Sequence, residues 1–520
     1  MKSIRIGGAS GYWGESDMAV PQLLEAGGLD VIVFDYLAEI TMSIMARARQ
    51  KDPAKGYATD FVSDAMTPHL AEIARQGVKI IANAGGVNPE ACAAAVRALI
   101  SEQGLDLTVA VVLGDDLSAR AGEFADETEM FSGEAFPARD SLASINAYLG
   151  AFPIAAALAE GADIVITGRC VDSAVTLGAC IHAFGWARND RDRLAAGSLA
   201  GHIIECGPQA TGGNHTDWES VADSLADVGY PIVEVGEDGG FTVSKPAGTG
   251  GVVTVGTVGE QMLYEIGDPQ AYMLPDVVCD FSAVTLRQAG EEEVRVEGAV
   301  GRPAPDRYKV SATYANGFRA GAVWFFYGEA AGAKARSFAE AAIARARRKL
   351  RNANAPDFDE TLVEVIGDES HYGGEAKVAG SREVALKIAA RHRDARACAM
   401  LLKEITGLGL SAPPGLSGFA GARSRPSPVV RLFSMLVAKE TVPLSVALDG
   451  RTIALDAETG TPFDEAAIAR PTPPACGEAK DLVAVPLIDL AFARSGDKGN
   501  KANIGVLPRK PDYAPWIWAA

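Results

Sequence analysis

Two short runs, GRCVDSAV from residue 168 and GHIIECGPQATGGN from residue 201, gather most of the residue types that move protons or attack carbonyls. The second run opens on a helical pattern. His202 and Cys206 stand four residues apart with Glu205 beside them, so an acid, a base and a thiol share one face. With His202 as general acid, Glu205 or Asp172 as general base, and the amides of Gly212 and Gly213 as donors to a developing oxyanion, the stretch could add to or cleave beside a carbonyl. Cys206 offers a second chemistry, as a nucleophile forming an acyl-enzyme if a neighbouring base lowers its pKa; an inert core thiol is the plainer alternative. His202, Glu205, Cys206 and His215 also raise a divalent metal such as zinc. Gly207-Pro208 breaks the helix after Cys206 and the spacing matches no zinc signature, so no metal ligand is assigned. A satisfied, partly buried histidine is the third reading of His202.

These side chains need elements to hold them. Over the first 180 residues, β-branched runs (IRIGGAS, LDVIVFDY, VKIIANAGG, LTVAVVLGDD, ADIVITGRC) alternate with helical stretches, which predicts a parallel α/β sheet covered on both faces. Ligands of such sheets bind beyond the carboxyl ends of the strands. Each run ends in glycine or in a polar residue there: Gly7 and Gly8, Asp35, Asn83 with Gly85 and Gly86, Asp115, and Gly168 with Arg169. The expected pocket is therefore lined by Gly8, Gly11, Asn83, Arg169, Asp172, His202, Glu205 and Gln209, and Glu39 hangs from the same rim. Gly8, Gly11 and Gly14 with Asp35 further on imitate a dinucleotide fingerprint, but at the wrong spacing. A nicotinamide-dependent oxidoreductase stays an alternative beside a phosphate or substrate loop and a plain tight turn.

Residues 121–150 are acidic and weakly periodic, as expected of a flap or a subunit contact rather than core. From about residue 230 the pattern turns to closely spaced Val/Thr/Phe segments with glycines, which predicts a mostly antiparallel, β-rich region. The organisation expected is a parallel α/β domain over 1–225, a mixed β-rich domain over 226–463, a linker over 464–480 and a small appendage over 481–520. Lys+Arg 48 against Asp+Glu 67 gives 48 − 67 = −19, which argues against nucleic acid and anionic membrane as partners. No apolar run is long enough to span a bilayer. Seven scattered cysteines without a CxxC pair, and a start that runs straight into a strand pattern, make a reduced cytoplasmic protein the expectation.

Several stretches together are similar to one family. GGASGYWGESD near the start, IANAGGVNPEA at 81–91, the two runs above, KPAGTGGVVTVGTVGEQMLYEIGDPQAYMLPDVVCDF, and RSGDKGNKANIGV near the end resemble the acyclic terpene utilisation proteins of AtuA type. The resemblance implies a place in citronellol and geraniol degradation, whose intermediates are acyl-CoA thioesters. It thus implies a coenzyme A thioester as substrate and, with the acid–base residues above, a hydratase or lyase acting on an isoprenoid or branched acyl-CoA. A non-catalytic acyl-CoA-binding or assembly subunit for a partner carboxylase is the alternative it leaves, and a homo-oligomer is expected. Within SAPPGLSGFAGARSRPSP, which resembles a family loop, Arg423 and Arg425 are the residues chosen for a phosphate contact. The last segment should begin a small ferredoxin-like α+β unit; it stops at Trp518-Ala519-Ala520 before the elements that would complete one, so a truncated unit or a strand-loop-strand piece is expected.

Overall fold

The computed structural model describes residues 2–378, 380–419, 424–477, 483–498 and 501–520, with the side chain of Lys498 excepted. The chain forms two compact units. One comprises Met1–Arg139, Ala143–Thr313 and Leu432–Ala520, the other Asp140–Leu142 and Tyr314–Arg431.

The first unit is built on an eleven-stranded sheet. Its middle five strands lie in the order Ser3–Gly8, Val31–Phe34, Lys79–Ala82, Ile164–Thr167, Val109–Leu113, and every pairing among them is parallel. These strands are apolar at successive residues because both faces are covered, as the burial of all four residues in Val31–Phe34 and in Ile164–Thr167 shows. Ile32, Phe34, Ile80, Ala82, Ile164 and Ile166 point to one face, where Leu23, Met45, Leu70 and Val96 of four helices close over them. The helices Phe152–Ala159, Ala174–Phe184 and Arg191–Ile204 pack on the sheet without joining that cluster. The doubly covered parallel sheet expected from the sequence is thus the core of the first unit.

The expected boundary near residue 225 is corrected. Ile232–Gly236 pairs antiparallel with Ser3–Gly8, placing Val233 against Ile6, and Phe241–Ser244, Glu293–Glu297 and Thr285–Gly290 extend the same sheet outward. The change of pattern near 230 marks an antiparallel extension of one sheet, since an open strand edge can be continued by hydrogen bonding without starting a new core. The outermost strand carries a register shift between Gln288 and Gly290. At the far end Ser445–Leu448 and Arg451–Ala454 add antiparallel strands beside Val109–Leu113. A further correction concerns 121–150: Ile145, Ala147, Tyr148 and Leu149 are buried, so the end of that stretch is core.

In the second unit, Glu360–Ile366 and Glu383–His392 pair antiparallel, and the helices Ala331–Asn352 and Ala395–Gly407 supply the core. The first of these helices buries Ala335, Phe338, Ala339, Ala342, Ala346 and Leu350 at helical spacing, while Arg345 and Lys349 grip the buried Glu404. Near the end of the chain, strands Ala491–Lys498 and Lys501–Pro508 pair antiparallel and belong to the first unit, packed on the helix Val255–Leu263. No helix among the described residues is long and apolar enough to cross a membrane.

Candidate active site

The carboxyl ends of the parallel strands deliver a cluster of ionisable and polar side chains to one place. Asp35, just past Val31–Phe34, is 6% exposed, and Asn83, just past Lys79–Ala82, is fully buried. The Asn83 carboxamide donates to Asp35 Oδ1 and accepts the Tyr36 amide at 2.7 Å, so one side chain ties two loops together. Burial drives the Asp35 carboxyl well above the ordinary carboxylate range. The negative charges of Asp172 and Glu205 push the same way and Arg169 pushes against them.

Arg169 follows Ile164–Thr167 and is 2% exposed. Its Nη1 donates to Asp172 Oδ1 at 2.5 Å and to the Cys170 carbonyl at 2.9 Å, and its guanidinium lies 4.2 Å from the centre of the Tyr148 ring. Lys309 stands over the same ring at 4.7 Å. The Tyr148 hydroxyl donates to Glu39 Oε1 at 2.6 Å and accepts from Ser311 at 3.3 Å. Beneath Arg169, Asp115 Oδ2 accepts the Arg169 amide and the Asn146 carboxamide, both at 2.8 Å; burial raises the Asp115 carboxyl to about 7.

His202 lies in the last turn of Arg191–Ile204 and Glu205 caps that helix. The His202 Nδ1 is hydrogen-bonded to Glu205 Oε1 at 2.8 Å, with the two side chains 1% and 9% exposed. Burial works against a charged ring, but the charge and hydrogen bond of Glu205 outweigh it and leave His202 above its ordinary value. The other ring nitrogen, Nε2, is buried without a hydrogen-bond partner among the described residues. The His202 carbonyl accepts from Gln261 Nε2 at 3.0 Å, which ties the pair to the helix Val255–Leu263.

Backbone contacts bring the two halves of the site together. A side chain at Gly8 would meet the Ile204 carbonyl at 2.5 Å, and one at Gly11 would meet Cα of Cys206 at 2.9 Å. At Gly201 it would meet the Ser173 carbonyl at 2.7 Å. These glycines seat the end of the His202 helix against the loops holding Ser10 and Asp172. The expected ligand role of Gly8 and Gly11 is corrected accordingly. The Gly8 amide donates to the Pro231 carbonyl and the Gly11 amide to Glu15 Oε2 at 2.6 Å, a carboxylate of the chain itself where a phosphate would have to lie.

Three other assignments also change. The Gly212 amide is used by the Gln209 carbonyl at 3.4 Å and the Gly213 amide by the Pro208 carbonyl at 2.9 Å, closing a 3-10 turn, so neither is an oxyanion donor. Burial, reinforced by Glu205, holds the Cys206 thiol well above its usual range, the reverse of what a thiolate nucleophile requires. His215 turns to Glu260, 3.2 Å away, and stacks on Phe492, so the four residues considered for a metal do not converge. Among the described residues no group of three or more His, Cys, Asp or Glu side chains is placed to hold a metal ion. Gln209 accepts a hydrogen bond from Arg494. Arg425 is exposed in the second unit, and Arg423 lies outside the described residues.

Of the residues singled out in the sequence, Asp35, Asn83, Arg169, Asp172, His202 and Glu205 lie in this cluster, with Glu39 bonded to Tyr148. Asp115, expected only as a strand end on the rim, lies beneath Arg169, and Tyr148, Lys309, Ser311, Asn146 and Gln261 were not foreseen. For Asn146 and Tyr148 the sequence signal available was a polar pair inside a stretch expected to be a flap.

No curated protein and no solved structure matches the chain. Family models do. That of the acyclic terpene utilisation family protein AtuA matches residues 4–448, a span that holds every residue of the cluster, and that of the AtuA ferredoxin-like domain matches 485–520. By a match over most of its length the chain belongs to the AtuA family, the proteins of acyclic terpene utilisation.

Proposed function

We propose that the chain is an acid–base enzyme of acyclic terpene catabolism, a hydratase or lyase acting on an isoprenoid or branched acyl-CoA thioester in the cytoplasm. The observation that carries this reading is the His202–Glu205 pair: Nδ1 is held by a carboxylate while Nε2 is buried with no hydrogen-bond partner among the described residues. A ring so oriented, and held above its ordinary value by Glu205, is placed to deliver a proton from Nε2. Asp172, a quarter exposed and held by Arg169, is the base. It takes the proton of an attacking water in a hydration, or of a 3-hydroxyl group in a carbon–carbon cleavage. His202 then protonates the neighbouring carbon as the enolate-like charge collapses. Asp35, which feels both Asp172 and Glu205, is the buried acid between the two halves.

The test is mass spectrometry of 3-methyl-branched enoyl-CoA and 3-hydroxyacyl-CoA thioesters incubated with the wild type, His202→Ala and Glu205→Gln. Each substitution should slow turnover by on the order of 10²–10⁴ while the fold persists. If the wild type converts none of them, the catalytic reading falls and an accessory acyl-CoA-binding subunit replaces it.

A further inference from the structure

The helix Val255–Leu263, whose Gln261 holds the His202 carbonyl, does not simply stop. Two residues past its end Glu265 has φ +60°, a left-handed conformation that a residue with a side chain keeps only when its surroundings impose it. What imposes it comes from the far end of the sequence. The Asn503 carboxamide donates to the carbonyls of Leu263 and Ile266, both at 3.1 Å, bracketing the turn from either side. Gly496 lies directly on Glu265, where any side chain would come within 2.7 Å of its backbone nitrogen and of its Cγ. Arg494 lies 4.7 Å from the centre of the Tyr264 ring and donates to the Asn214 carbonyl at 3.0 Å and to Gln209. The charge of Glu265 in turn bears on both His202 and Cys206.

We infer that the hairpin formed by Ala491–Lys498 and Lys501–Pro508 is a working part of the site, and that Asn503 is a positioning residue. With Gly496 and Arg494 it holds Glu265 in a left-handed turn just past the helix whose Gln261 donates to the His202 carbonyl. The segment matched by the ferredoxin-like family model therefore sets the electrostatics of a histidine some three hundred residues earlier in the sequence. Glu205 then acts on the ring through a hydrogen bond and Glu265 through its charge. The inference rests on His202 being the proton-carrying group of the proposed reaction, but its test needs no turnover, so a silent thioester panel leaves it standing or falling by itself.

The test follows His202 by NMR titration of the full chain labelled at its six histidines, the His202 signal being identified by its loss in His202→Gln. In the wild type it should titrate above 6.5. Glu265→Gln should lower that midpoint, by less than Glu205→Gln does. Asn503→Ala and Gly496→Ala, which free or displace the turn by different means, should each lower it too and add little to Glu265→Gln. Asn503→Leu, similar in size and without donors, gives the same answer should Asn503→Ala fail to fold, and Lys510→Ala on the same segment should change nothing. The inference is overturned if Glu265→Gln leaves His202 unmoved. It is equally overturned if Glu265→Gln moves His202 while the folded Asn503 and Gly496 variants do not.

Discussion

Replacing Asp115 with asparagine should make the protein more tolerant of alkaline pH. Its carboxyl is buried under the Arg169 loop and titrates at about 7 instead of 3.8. Between those values the folded state holds a proton that the unfolded state has released, so stability falls as pH rises from about 4 to about 7 and is level beyond. Asparagine keeps an oxygen for the Arg169 amide and the Asn146 carboxamide but has no proton to lose. At any one pH the comparison also includes whatever hydrogen-bond strength the neutral amide forfeits, about 1–3 kcal/mol. That loss is nearly constant, so it cancels in the difference between two pH values. Between pH 5 and pH 8 the folded wild type keeps, up to about 7, the proton that the unfolded chain has lost, a span of about two pH units at 1.36 kcal/mol each, and beyond 7 the difference is level. Asp115→Asn should therefore gain about 3 kcal/mol on the wild type over that interval. Urea unfolding at the two pH values measures it, with the slope checked for constancy. A stability difference that stays the same to within about 0.5 kcal/mol, or that moves in favour of the wild type, would mean Asp115 is ionised in the folded protein at pH 5 and would refute the reasoning.

Two further outcomes are expected. Gly11→Ala places a methyl group 2.9 Å from backbone atoms of Cys206, which a side-chain rotation cannot relieve; it should cost about 1–3 kcal/mol in urea unfolding, and an unchanged midpoint would show that the loop yields. Cys206 should resist iodoacetamide at pH 7.5 and Cys206→Ser should cost less than about tenfold in any turnover, because the thiol is kept protonated; rapid alkylation of Cys206, located by peptide mass mapping, contradicts this.

The parallel sheet was legible because each of its strands is covered on both faces and so reads as an unbroken β-branched run, and parallel order then sends the following loops to one edge. His202 and Glu205 were legible for a local reason: they lie three apart at a helix end, and that spacing alone puts them together. What stayed hidden was mostly tertiary. Tyr148 lies between Arg169 and Lys309, and neither neighbour is near it in sequence. The glycines misled for a physical reason. A residue without a side chain allows any close approach, and at Gly8, Gly11 and Gly201 what approaches is another stretch of backbone. The antiparallel strands after 230 look the same in sequence whether they begin a new sheet or prolong an old one, because that choice is made by which edge lies open.

An eleven-stranded sheet that does not close on itself leaves a row of unsatisfied amides and carbonyls at each end. Such rows invite a second copy to add its own strand, and a chain that accumulates to high concentration must discourage this. The outermost strand, Thr285–Gly290, does so with the shift between Gln288 and Gly290, which breaks the straight ladder an incoming strand would need, and with the charge of Arg287. The opposite edge, Arg451–Ala454, is only four residues long and opens on an arginine. The irregularity at the margin thus serves solubility: it lets a wide sheet stay open without becoming a template for its own fibres.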